Sequence, residues 1–166
     1  MTSDQELEEN KKKLAGLIKF IGIGMLTTVD ENGLPHSCPM TVNKPEEFDG
    51  NLWFFTHGNN HKVFEATRNK YVNISFSDVK NQNYVSVTGQ AELIRDRTVI
   101  LERWLPELKA WFQDGPETED IALLKIRAEK AEYWDMPYSV ATHTIAIIKL
   151  LTGQAVAAGE NVKVDL

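Results

Sequence analysis

Residues 71–94 read YVNISFSDVKNQNYVSVTGQAELI, and their alternation decides the fold. In the first run Val72, Ile74 and Phe76 are separated by polar residues; in the second, Val85, Val87 and Ala91 keep a two-residue period, less regularly around Gly89. That period sends successive side chains to opposite faces, so each run is a strand with one buried face. Gly89 is the expected site of a β-bulge where the ribbon bends. Toward the N-terminus, β-rich runs at about 23–29 and 34–43 flank Asp30-Glu31-Asn32-Gly33, whose Asn-Gly pair predicts a hairpin turn. A second turn, Glu47 to Asn51, leads into the aromatic strand LWFFTH. Before these, Leu7, Leu14, Leu17, Ile18 and Ile21 have helical spacing over 4–20, with Ser3 or Asp4 as N-cap and Gly22 as stop. Toward the C-terminus, 97–112 is mostly helical, and Pro106 is placed to open a second short helix. Asp114-Gly115-Pro116 breaks it, and ALLKIRAEKAEYWD (122–135) closes the sheet as one strand or a pair. THTIAIIKLLTG (142–153) suits a docked helix, although its β-branched residues also permit a strand; VAAGENVKVDL (156–166) is expected to be loosely ordered. Five or six strands with helices at the ends predict a mainly β domain, an antiparallel sheet or small β-barrel with flanking helices.

The 166 residues fit a single domain over 1–166, with no internal repeat or linker. Hydrophobic residues at 42% and charged residues at 25% are those of a globular chain. A net charge of −6 argues against the extended basic face that nucleic acid requires. Cys38, the single cysteine, excludes an internal disulfide. No apolar run approaches the ~18 residues of a membrane span. The opening MTSDQELEENKKKL is polar and acidic, unlike a signal peptide, so a cytoplasmic protein is expected.

The most chemically informative stretch is FFTHGNNHKV, residues 54–63. A strand ends, Gly58-Asn59-Asn60 permits a tight turn, and a helix starts with His61 and Lys62 in its first turn. A cation there opposes the partial positive charge of the helix N-terminus, at a loss of about 0.3–1 kcal/mol. A bound anion reverses the sign. Unpaired N–H groups, the Thr56 hydroxyl, asparagine amides and the Lys62 ammonium would together make a phosphate cradle. The same pattern also describes an exposed lysine on an ordinary turn, and local sequence leaves both readings open. His57 and His61 are four apart, but the Gly-Asn-Asn between them interrupts a helical metal face, so no metal site is expected. Cys38 lacks a patterned histidine partner and reads as a small packed residue rather than a nucleophile. Trp53, Phe54, Phe55, Trp104, Trp111 and Phe112 read mainly as core or interface packing, with stacking on a ring cofactor as the alternative. No dinucleotide fingerprint or P-loop occurs, and no catalytic acid or base stands out.

MLTTVDENGLPHSCPM, FDGNLWFFTHGNNHKV, VNISFSD, YVSVTGQAEL, AWFQDGPE and AEYWD, in that order within residues 12–136, resemble the pyridoxamine 5′-phosphate oxidase-like flavoproteins, above all their general stress protein 26 branch. The resemblance implies a split β-barrel of the FMN-binding type and a homodimer holding FMN in a cleft between subunits, with FAD or the deazaflavin F420 as alternatives. Carried over by position, Ser37, Cys38, Pro39 and Met40 reach the flavin ring and phosphate, with Thr41 to Asn43 next along the strand. Phe55 and Thr56 lie beside the ribityl phosphate, and His61 and Lys62 clamp it. Tyr84 reaches the flavin from the other subunit, and Trp134 lies near an aromatic that covers the cleft. The branch reads Ser-Arg-Pro-Met where this chain has Ser37-Cys38-Pro39-Met40, so a phosphate-pairing arginine is missing, a loss of about 1.5–3 kcal/mol for bonds to a charged partner. His61 also stands where arginine is common. The Arg-x-His-type pattern of true pyridoxamine phosphate oxidases is absent from 134–166, so vitamin B6 oxidation is not expected. The implied activity is a flavin-dependent oxidoreductase acting on an unidentified small substrate in a stress setting. A non-catalytic flavin-binding, storage or sensor protein is the alternative.

Overall fold

The computed structural model describes residues 3–135 and 160–166. In chain order the elements are α1 (Ser3–Ile21), β1 (Ile23–Val29), β2 (Pro35–Thr41), β3 (Asn51–His57), α2 (His61–Arg68), β4 (Tyr71–Asp78), β5 (Asn83–Ile94), α3 (Arg97–Arg103), β6 (Ile121–Asp135) and β7 (Glu160–Asp165). Short 3-10 turns occupy Pro45–Glu47, Pro106–Ala110 and Gly115–Glu117. The strands form one antiparallel sheet in the order β2-β1-β4-β5-β6-β3, with β7 also paired to β6. The sheet curls into a split barrel, and its two edges meet where the Asn43 N–H donates to the Trp53 carbonyl at 2.7 Å.

Local chemistry sets the bends. At the β1–β2 turn the Asp30 carboxylate accepts the N–H groups of Asn32 and Leu34 at 2.8 and 2.9 Å, and Gly33 takes φ 81, which a side chain would resist. The Leu34 bond is the main reason the Asp30 carboxyl lies below its ordinary range. The expected irregularity at Gly89 is present, but the extra residue lies on the partner strand. Pairing steps from Thr88↔Lys130 to Gly89↔Ala128 and leaves Glu129 unopposed. A Cβ on Gly89 would meet the Arg127 carbonyl carbon at 2.8 Å and its oxygen closer still, so only glycine lets the two backbones approach. The bulge is also where β6 changes neighbours, pairing with β3 up to Arg127 and with β7 from Lys130.

Inside the curl, Leu14 and Ile18 of α1 pack with Leu26, Phe54, Ile74, Phe76, Val85, Leu124, Ile126 and Tyr133. A second cluster joins Ile100, Phe112, Ile121 and Leu123 to Phe55, Trp104 and Leu108. Alternation along β3 explains both: Phe54 serves the first cluster and its neighbour Phe55 the second. The 97–112 helix breaks at Trp104 and Leu105, since the residue before Pro106 is pushed to extended backbone.

Two expectations are corrected. The described residues hold seven strands rather than five or six. The end of 156–166 is ordered as β7, because Val162 and Val164 alternate with polar residues and Val164 reaches the core at 2% exposure. The helix or strand expected at 142–153 lies outside the described residues. Among the described residues no helix is long and apolar enough to cross a membrane.

Candidate functional site

β3 delivers Phe55, Thr56 and His57 to the edge of the sheet, where the chain turns into α2. Asn60 caps that helix, its side-chain oxygen accepting the Lys62 N–H at 3.3 Å. The cap uses one of the N–H groups that the sequence offered to an anion. The turn is pinned from behind. The Gly58 N–H donates to the Asp120 carbonyl at 2.6 Å, Arg95 Nη2 donates to the Gly58 carbonyl at 3.2 Å, and His57 Nδ1 lies 2.7 Å from Asp120 Oδ1. The hydrogen bond from His57 is the main cause holding the Asp120 carboxyl below its ordinary range.

This turn forms one wall of a cleft of about 590 Å³, a size typical of small-molecule sites. Ile23, Pro39, Met40 and Val42 line it from β1 and the end of β2; Thr56, Asn60 and Lys62 line it from the turn. Leu105, Leu108, Trp111 and Phe112 add a further wall. That wall is tethered to the β2–β3 connection. Lys44 Nζ donates to the Glu102 carbonyl at 3.0 Å and Asn43 Nδ2 to the Arg103 carbonyl at 3.1 Å, satisfying the C-terminal end of α3. The Arg103 guanidinium sits 3.9 Å over the Trp53 ring, and Trp104 and Phe112 pack edge-on against Phe55 at 5.8 and 6.1 Å.

Several polar groups in the cleft have weak partners or none among the described residues. Asn43 Oδ1 is buried without a hydrogen bond. The Thr56 hydroxyl, on a residue 3% exposed, makes only a 3.4 Å contact to the next carbonyl. Lys62 makes no ion pair among the described residues. Buried polar groups normally find partners. A hydroxyl donor and an ammonium suit a phosphate, a free amide oxygen suits a ring N–H, and apolar walls suit a planar ring. The donor set fits a phosphorylated ring compound such as a flavin nucleotide.

Of the residues anticipated for the site, Pro39, Met40, Phe55, Thr56 and Lys62 come together in the cleft. Ser37 is exposed outside it, its Oγ 2.7 Å from Thr27 Oγ1. Cys38 is half-buried against the main core, as β2 alternation turns it away from its neighbours Ser37 and Pro39. His61 lies outside the cleft with Nδ1 2.7 Å from Glu65 Oε1. Tyr84 and Trp134 face each other across β5 and β6, also outside. Sequence reading missed Ile23, Leu105 and Leu108 in the walls and Arg95 and Asp120 behind the turn. None of these sits in a local motif; chain folding alone brings them there.

Comparison with known proteins gives a coherent set. The family model described as pyridoxamine 5′-phosphate oxidase like matches residues 9–157. Protein bli-3 of Neurospora crassa is 25% identical over 142 residues, covering 80% of this chain and 68% of that one. The general stress FMN/FAD binding protein of Xanthomonas citri is 27% identical, with a TM-score of 0.69 over 80% of this chain and 93% of that one. A Jannaschia sp. CCS1 structure shares the fold with a TM-score of 0.75 over 96% of this chain and 99% of that one, at 22% identity.

Proposed function

The chain belongs to the pyridoxamine 5′-phosphate oxidase-like family, and on that premise we propose that its cleft binds FMN at the interface of a homodimer and serves a flavin-dependent oxidoreductase acting on a small molecule. One observation carries the reading: Thr56, Lys62 and the capped first turn of α2 line one side of a cleft whose other walls are mainly apolar, with Thr41, Asn43, His57 and Glu107 as the further polar residues. Lys62 and Thr56 hold the phosphate by charge-assisted and neutral hydrogen bonds. Asn43 Oδ1 would offer the ring an acceptor, and Trp111 and Pro39 would shield it from water. The flavin, when bound, supplies the redox chemistry, and the protein supplies binding and orientation. The Xanthomonas citri relative, an FMN/FAD binding protein, supports a flavin and leaves FAD as an alternative ligand, with F420 as a further one.

A partner subunit explains the surface beside the cleft. Ile23 and Met25 on β1 are 57% and 42% exposed, and Met25 pairs with Pro39 on the neighbouring β2. Exposed apolar groups grouped beside a ligand cleft suit a dimer face. Tyr84 and Trp134 then act on the partner's cleft rather than their own.

A second reading, a non-catalytic flavin-binding or sensor protein, is favoured by the position of His61. With that ring turned to Glu65, Lys62 is the one lysine or arginine among the described residues lining the cleft. The phosphate is then held more weakly than by a basic pair.

Protein purified without added cofactor should be yellow or should quench FMN fluorescence saturably at micromolar concentrations. A colourless protein with no quenching overturns the flavin reading. Parallel titrations with FAD and F420 rank the alternatives. Oxidation of a reduced nicotinamide faster than by free FMN supports the enzyme; equal rates favour the binding protein.

A further inference from the structure

We infer that His36, His61 and Glu65 form a binding site for a divalent transition-metal ion, separate from the cleft. His61 and Glu65 are four apart and share a face of α2; His36 comes from β2. One potential ligand atom from each lies within 4.8 Å of the others. Glu65 is 5% exposed, a burial that carboxylates tolerate only with strong partners. Its Oε2 accepts the Thr28 hydroxyl at 2.6 Å and lies 3.3 Å from His36 Nδ1. Its Oε1 lies 2.7 Å from His61 Nδ1 and, although buried, has no hydrogen-bond partner among the described residues. Proximity without a hydrogen bond leaves an acceptor that a cation would satisfy.

Two imidazole nitrogens and one carboxylate oxygen are a ligand set that suits zinc, leaving a fourth position for water. Metal–ligand distances of about 2.0–2.1 Å in a tetrahedron separate ligand atoms by roughly 3.3 Å. The N···O separations, 2.7 Å from His61 to Oε1 and 3.3 Å from His36 to Oε2, lie below and at that spacing, and ring rotation has only to close ligand-atom gaps of up to 4.8 Å. The two rings are 48% and 81% exposed and free to adjust, whereas the carboxylate is fixed. Thr28 supplies the outer hydrogen bond that orients a ligating carboxylate. The spacing of His57 and His61 hid this site in the sequence, because the partner of His61 is 25 positions back on another strand.

The test is calorimetric titration of the untagged full chain with Zn²⁺, without flavin, so that failure here is distinct from failure of the FMN reading. One ion per chain should bind in the micromolar range. The exposed substitutions His36→Ala and His61→Ala should each weaken it at least about tenfold, and His57→Ala should leave it unchanged. Co²⁺ in place of Zn²⁺ should give visible absorption that His61→Ala abolishes. Absence of saturable binding, or binding indifferent to His36→Ala and His61→Ala, overturns the site.

Discussion

Thr28 and Glu65 are 1% and 5% exposed and share a 2.6 Å hydrogen bond, so removing the hydroxyl strands a buried acceptor. Thr28→Val should cost about 1.5–3 kcal/mol in urea unfolding, the range for a bond to a charged group, while Thr28→Ser should recover most of it. Equal stability of all three proteins would mean the carboxylate is satisfied elsewhere. Asp120 offers a pH signature. Its carboxyl is held below the ordinary range chiefly by His57, so the pair's contribution is complete above the ordinary carboxyl pKa and is lost as pH falls through the lowered value. His57→Ala should move the Asp120 carboxyl resonance in an NMR titration back toward the ordinary range. An unmoved titration would assign the shift to another cause. At this scale the sequence was legible where the chemistry is contiguous: Thr56 to Lys62 is a local strand–turn–helix motif, and Thr56 and Lys62 do line the cleft. It was less legible where orientation matters. Adjacent residues His61 and Lys62 are about 100° apart on a helix, and here one faces Glu65 while the other lines the cleft.

Among the elements, β6 carries the most structural information, since it pairs with β5 from Leu123 to Asp135, apart from Glu129, and with β3 and β7 on its two halves. The step at Glu129 opposite Gly89 makes that exchange possible. Gly89→Ala forces a Cβ onto the Arg127 carbonyl and should destabilise by about 1–3 kcal/mol or more in chemical denaturation. An unperturbed midpoint would mean that the backbone relaxes freely there. Alternation revealed β4, β5 and most of β6, because a two-residue period over seven or more residues is hard to produce otherwise. β7 escaped notice: Val162 and Val164 supply only two apolar beats, and their significance comes from the half of β6 left free beyond Arg127. Asn43 and Lys44 belong to the same lesson. Their bonds to the last carbonyls of α3 place the Leu105–Phe112 wall over the cleft, and nothing nearby in the chain announces that partner.

At the scale of the whole molecule, the proposed site is completed by a second copy of the chain. Ile23 and Met25 are exposed beside the cleft, while Tyr84 and Trp134 stand outside it. Light scattering should give a dimer, and Met25→Glu, which would bury a charge at the proposed face, should shift it toward monomer and weaken FMN at least about tenfold. A monomeric wild-type protein that binds FMN fully would remove the partner from the site. In the proposed site, Lys62 and its turn hold a phosphate, a role that can be separated from ring binding by comparing FMN with riboflavin, which lacks the phosphate, in fluorescence titrations of the wild type and Lys62→Ala. Lys62→Ala should weaken FMN about ten- to a hundredfold, the equivalent of losing one charge-assisted hydrogen bond, and leave riboflavin within about twofold. Equal losses for the two ligands, or no loss for FMN, would contradict the phosphate cradle.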